Sequence, residues 1–135
     1  MKMRLWKSCM TMLLTLSAFL GIAQKPDVSQ ILKRIEYVLC PDQKPIGKPG
    51  ASADVRIVEV KDFSDAQAYL LRMCPQREIK EEKKAGNFYY TYTLPEGKGS
   101  LVLTDKVKTG SKEIAVLEVG VEGIKNKVKQ VRFVK

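Results

Sequence analysis

Apolar side chains recur every three or four residues in the segment after Asp27, which is the spacing of one helix face. This face consists of Val28, Ile31, Ile35, Val38 and Leu39. Asp27 precedes it as an N-cap, with Gln30 as a capping-box partner. The pattern predicts an amphipathic helix that ends near Cys40, because the following proline disfavours helical backbone in the residue before it.

A strand and a second helix are predicted next. Residues 55–60 are rich in β-branched side chains and indicate a strand. Ser64, as N-cap, and Gln67 form a helix-start pattern, and apolar positions continue at helical spacing to Cys74, where another proline ends the helix. The mixed charges of residues 77–84 then predict a solvent-exposed turn or loop.

From residue 87 onward the apolar positions alternate with polar ones, as in half-buried strands. Turn residues divide this part into four extended segments, residues 87–94, 101–104, 114–119 and 128–134. Their short connections predict an antiparallel meander, in which the third segment is central because it is apolar on both faces. The order α-β-α-β-β-β-β predicts an α+β domain in which an antiparallel sheet of four to five strands packs against two helices.

The first 23 residues follow a different pattern. Their basic residues are Lys2, Arg4 and Lys7. Residues 10–22 are uncharged and mostly apolar, and small residues stand three and one positions before Gln24. This order is that of a secretory signal peptide, and the apolar run is shorter than the roughly 20 residues of a membrane anchor. We therefore expect cleavage after residue 23 and export of residues 24–135 as a single periplasmic or secreted domain, with no later membrane span.

The predicted domain keeps two cysteines, Cys40 and Cys74, each followed by proline at the end of a predicted helix. In an oxidising compartment such an even pair predicts a disulfide, and two reduced cysteines that never meet are the alternative. Closing a loop of about 35 residues stabilises a domain by on the order of 3–4 kcal/mol. Metal binding is disfavoured because the chain has no histidine.

The absence of histidine also removes the usual general base near neutral pH. A histidine-free enzyme would rely on carboxylates, and the candidates are Asp54, Glu59, Asp62 and Asp65. Asp62 and Asp65 are better explained as helix-start residues, which satisfy free amide groups. The glycines of residues 97–100 join two extended segments, whereas a phosphate loop leads from a strand into a helix. The sequence therefore predicts no catalytic residue, cofactor or metal site.

The basic residues are concentrated late in the chain, whose formal net charge is +9. Lys125, Lys127, Lys129 and Lys135 share one strand parity and predict a basic surface at a sheet edge. Such a surface attracts acidic glycans or acidic proteins, although lysines on edge strands also prevent aggregation. Nucleic acid is not an expected partner, because the leader directs export and no recognition motif is present.

These patterns predict an exported, non-catalytic binding domain without a cofactor. Its partner is expected to be an envelope protein or an anionic glycan, met through the sheet surface or through residues 41–53, a connector rich in proline and glycine that suits a flexible linker. Two alternatives remain. One is a carrier that holds a lipid or another apolar ligand between helix and sheet, and the other is the histidine-free enzyme that uses carboxylates.

Overall fold

The structure is a computed structural model and describes residues 27–135. The predicted signal peptide, residues 1–23, lies outside the described residues. The described part contains helices α1 (Val28–Leu39) and α2 (Phe63–Met73). Its strands are β1 (Lys48–Pro49), β2 (Val55–Glu59), β3 (Lys80–Lys84), β4 (Asn87–Thr93), β5 (Gly99–Thr104), β6 (Glu113–Val121) and β7 (Gln130–Val134).

All strands of the described part join one mixed sheet of seven strands, in the order β1-β2-β7-β6-β5-β4-β3. The predicted α+β class is confirmed, and β4 to β7 follow one another as antiparallel neighbours. The expected four to five antiparallel strands are only roughly right, because β2 pairs with β7 in parallel and two short strands extend the edges. The paired strands β2 and β7 are about 75 residues apart in the chain, so no local pattern in the sequence predicts their pairing.

Edge strand β3 corrects the loop predicted for residues 77–84. A single 3-10 turn, Gln76–Glu78, leads into β3, which pairs antiparallel with β4. The alternation typical of strands is absent because an edge strand of lysine and glutamate buries little on either face. Such charges hinder pairing with other chains, so the composition suits the edge.

Both helices pack on one face of the sheet, which we call the helix-facing side. Ring contacts show this for α2, where the Tyr69 ring lies 5.4 Å from that of Phe133 and the Phe63 ring 5.8 Å from that of Tyr90. The largest fully buried side chains of this layer are Tyr92, Phe133, Ile31, Ile35, Leu39, Met73, Leu101, Leu103, Leu117 and Val131. Strand β6 is the middle strand of the sheet, which confirms the central position predicted for its apolar segment.

Aspartate side chains cap the N-termini of both helices. Asp27 caps α1 as predicted, and hydrogen bonds from Ser29 lower the pKa of its carboxyl group. The predicted cap of α2, Ser64, is wrong by two residues. Asp62 is the N-cap and accepts from the Asp65 N–H at 3.1 Å, while Asp65 accepts from the Lys61 N–H at 2.9 Å. Asp62, which lies two residues before Ser64, thus forms the reciprocal capping pair with Asp65. The Ser64 hydroxyl donates a hydrogen bond to Asp62 instead of capping the helix.

The connector of residues 41–53 is pinned to the domain, which contradicts the flexible linker predicted for it. Its Ile46 N–H donates to the Leu39 carbonyl at 3.0 Å, and the Arg56 guanidinium donates to the carbonyls of Ile46 and Gly47 at 2.7 and 3.0 Å. Gly47 has a φ of +66°, and a Cβ there would lie 2.1 Å from the Ile57 carbonyl oxygen. The connector is ordered because β2 supplies an arginine for its carbonyl groups.

The register of β6 is testable by substitution of two adjacent residues. Leu117 is fully buried on the helix-facing side, whereas Glu118 is exposed on the other side. We expect Leu117→Ala to lower the free energy of unfolding by about 3 kcal/mol, since it leaves a cavity in the core. The control Glu118→Ala should change it by less than about 0.5 kcal/mol in urea titrations. Similar losses from both variants would contradict this register.

Candidate functional site

The four carboxylates named as catalytic candidates have structural partners. The Ser52 hydroxyl donates to Asp54 and lowers the pKa of its carboxyl group. Glu59 lies 3.6 Å from the Lys48 ammonium at the surface. Asp62 and Asp65 come together only in the α2 cap, where hydrogen bonds from Ser64 and the Asp65 N–H lower the pKa of Asp62. The hydrogen bonds that lower the pKa values of Asp54 and Asp62 oppose protonation, so neither carboxylate suits a general acid.

The four lysines of the predicted basic surface do not form one cluster. All four are exposed, but Lys125, Lys127 and Lys129 precede β7 and Lys135 follows it. The five residues of β7 separate the two groups by roughly 17 Å. Strand β7 lies between β2 and β6, so these lysines do not line a sheet edge. Lys135 is instead next to Lys112, whose carbonyl accepts from its N–H at 3.1 Å.

The two cysteines end α1 and α2 as predicted, and both are free thiols in the structure. Burial raises the pKa of Cys74 to about 12, and its Sγ donates to the Leu70 carbonyl at 3.4 Å. Cys40 is half-buried. Its burial, and to a smaller extent the negative charge of Glu36, raises the pKa of its thiol. The charged groups near the two thiols differ, with Glu36 near Cys40 and Glu78 near Cys74. The disulfide between them stays a prediction.

A cleft of about 560 Å³, which we call the α1 cleft, lies along the outer side of α1. Its walls are the helix, the turn after it and the loop between β6 and β7. The apolar part of the lining consists of Leu32, Tyr37, Cys40 and Ile124. The charged side chains in the lining are Lys33, Glu36, Asp42 and Lys125. A concave, mostly apolar site of this size with a few polar groups is typical of a binding pocket.

Glu36 links helix α1 to the β6–β7 loop, which forms the opposite wall of the cleft. Its Oε1 accepts from the backbone N–H groups of Lys125 and Asn126 at 2.7 and 3.3 Å. The Asn126 Oδ1 accepts from the Val128 N–H at 2.8 Å, while its Nδ2 is buried without a partner. These contacts fix the β6–β7 loop against α1, and a Cβ at Gly123 would lie 3.2 Å from a methyl group of Leu32.

Tyr37 is the most conspicuous side chain of the α1 cleft. It is 64 % exposed, and the other exposed large apolar side chain in residues 27–135 is Leu71, at 43 %. Tyrosine is enriched at protein interfaces because it combines a large apolar ring with a polar end. Sequence reasoning missed Leu32 and Tyr37, although both fall outside the apolar stripe of α1 and so signal a second apolar face.

Two other clefts offer less. One, of about 300 Å³, lies between α2 and β3 and is lined partly by Leu71, Ile79 and Tyr90. Another, of about 460 Å³ near the start of α1, is lined partly by the carboxylates of Asp27, Glu78 and Glu96. No group of three or more potential metal ligands occurs in the part of the chain that the structure describes. None of the helices within this part is long and apolar enough to cross a membrane.

Comparison of the chain with models of protein families, with curated proteins and with solved structures finds no match in any of the three.

The link between Glu36 and the β6–β7 loop leads to a stability prediction. Glu36→Ala should lower the free energy of unfolding by about 1–2 kcal/mol, because two N–H groups lose a charged acceptor. Hydrogen exchange of the Lys125 and Asn126 amides should accelerate in the same variant. Glu36→Gln keeps an acceptor oxygen and serves as the matched control. Unchanged exchange in Glu36→Ala would show that the loop is held by other contacts.

The two thiols should differ in reactivity. In reduced, folded protein we expect iodoacetamide to alkylate Cys40 and to leave Cys74 unmodified, since Cys74 is buried and its pKa is about 12. Peptide mass spectrometry with and without urea measures this difference. The same measurement without reductant tests the disulfide, which would protect both cysteines even after unfolding. Alkylation of Cys74 as fast as Cys40 in the folded protein would contradict the burial described here.

Proposed function

We propose that this chain is an exported, non-catalytic binding domain that takes an apolar side chain of a protein partner into the α1 cleft. The observation that carries the proposal is the cleft itself, a mostly apolar concavity beside the exposed Tyr37 ring. Export follows from the predicted signal peptide and implies a periplasmic or extracellular destination.

Binding is favoured over catalysis by the state of the ionisable groups. Glu36, one of the two carboxylates that line the α1 cleft, already accepts two backbone hydrogen bonds. The pKa of the neighbouring Cys40 thiol is raised, which opposes formation of a nucleophilic thiolate. The charges of the cleft therefore suit orientation of a partner more than proton or group transfer.

The charges of the α1 cleft also favour a protein over an anionic glycan. Lys33 and Lys125 line it together with Asp42, so its border carries both signs. The four lysines predicted to attract an anionic glycan are divided between the two ends of β7. An apolar centre with a mixed charged rim is the usual anatomy of a protein interface.

The apolar walls of the α1 cleft also favour a second candidate, a carrier of a small apolar ligand. The space between helices and sheet, where a carrier was expected to hold its ligand, is filled by buried side chains such as Tyr92, Leu103 and Phe133. A ligand would therefore lie in the α1 cleft. Native mass spectrometry of gently extracted protein distinguishes a carrier, which retains bound lipid, from a protein-binding domain.

The proposal is tested by a photoreactive benzoylphenylalanine placed at position 37 in producing cells. We expect cross-links to one protein partner from this position and none from position 71, the matched exposed apolar position on α2. With the partner purified, Tyr37→Ala should weaken binding about thirtyfold, which corresponds to about 2 kcal/mol. Equal cross-linking from both positions, or unchanged affinity of Tyr37→Ala, would contradict the proposal.

A further inference from the structure

The face of the sheet opposite the helices, which we call the open face, carries a group of valine and isoleucine side chains among charged ones, and no described element covers it. Strand pairing places on it the side chains of Val55, Ile57, Val102, Val116 and Val134. Antiparallel strands with one solvated face normally alternate apolar and polar residues, whereas strands covered on both sides read as continuous apolar runs. Residues 101–103 of β5 and residues 114–117 of β6 are such continuous apolar runs, whereas β7 alternates apolar and polar residues.

The centre of the open face is already partly shielded. Successive strands align Tyr89, Thr104, Val116, Arg132 and Ile57 in one row across the sheet. Val116 is only 6 % exposed and Thr104 8 %, yet neither belongs to the main core cluster under the helices. Val116 is therefore buried on the open face, outside the core under the helices.

The charges of the open face cancel, although the whole chain has a formal net charge of +9. Its strand positions carry four basic residues, Lys48, Lys80, Lys84 and Arg132, and four acidic residues, Glu59, Glu82, Glu113 and Glu118. Each carboxylate has a neighbour within the face, and the shortest contacts are the hydrogen bonds from Arg132 to Glu113 at 2.7 and 2.8 Å and from Gln130 to Glu118 at 2.7 Å. The face therefore has no net charge that would oppose the approach of a second copy.

We propose that the open face is covered by the open face of a second copy of this chain, in a two-fold symmetric dimer whose sheets pack face to face. In an isologous contact the same surface of both copies meets, so a net charge on that surface would face the same charge on the other copy. A basic protein therefore self-associates best where its surface is neutral and apolar. Packed sheets bury β-branched side chains between them, and valine and isoleucine dominate the apolar positions of this face.

The size of the open face sets the expected affinity. Seven strands spaced at about 4.8 Å and about five residues long cover roughly 500 Å² per copy. Two copies bury on the order of 1,000 Å², which is near the lower limit for specific interfaces. We therefore expect a reversible dimer with a dissociation constant in the micromolar range.

Two substitutions each place a new charge in this interface. Within the monomer each new charge has neighbours of opposite sign, so the monomer should remain folded. Val102→Lys pairs across the strands with Glu118, and Ile57→Glu lies between Lys48 and Arg132. Each should raise the dimer dissociation constant at least about tenfold, because the new charge loses water in the dimer. Leu71→Lys, the same kind of change on the exposed side of α2, is the control.

Sedimentation equilibrium of the exported protein, from about 5 to about 500 μM, measures the dissociation constant, and thermal unfolding confirms that each variant is folded. A further readout needs no variant, since a neutral interface should bind as tightly at about 0.5 M salt as at low salt. A monomeric wild type at the highest concentration overturns the proposal. So does a dimer that persists in both folded variants, or one that salt dissociates more than about tenfold.

This inference is independent of the proposed function, because the α1 cleft lies in the helical layer and the open face on the other side of the sheet. A monomer that still cross-links from position 37 would refute the dimer alone. A dimer without any partner at position 37 would refute the binding function alone.

Discussion

The burial of α1 and α2 on a single face of the sheet is the constraint from which the other surfaces of this domain follow. Fully buried residues of both helices, such as Ile35 and Met73, share one core cluster with Leu117 and Phe133 of the sheet. Because both helices lie in the same layer, the opposite face of the sheet is left with its apolar residues outside that cluster. The same arrangement turns the second apolar side of α1, with Tyr37, toward solvent.

Polar contacts refine this packing more than they drive it. Arg56 fixes the connector after α1 through carbonyl groups, and Glu36 fixes the β6–β7 loop through amide groups. Asp62 and Asp65 use their carboxylates to begin α2. Each of these groups satisfies backbone atoms that secondary structure leaves without partners. Asp62 and Asp65, which were considered as catalytic candidates, are thus engaged in building a helix end.

The two surfaces differ in chemistry and suit different occupants. The α1 cleft is concave, with an apolar centre and a rim of both signs, so it suits an inserted side chain. The open face is broad and electrically balanced, with Val116 at its centre, so it suits another flat sheet. The two proposed surfaces lie on opposite layers of the domain, so the proposed dimer would leave both α1 clefts accessible.

The sequence by itself determined the elements whose residues are neighbours in the chain. The two helices ending at Cys40 and Cys74, the antiparallel order of β4 to β7 and the central position of β6 follow from periodicity, proline and short turns, which act locally. Only the tertiary structure decided the parallel pairing of β2 with β7 and the strand character of β3 at the edge. It also decided that Lys135 lies apart from the other predicted lysines and that Glu36 meets Asn126. These arrangements join segments far apart in the chain, and long-range packing leaves no periodic pattern in the residues that it brings together.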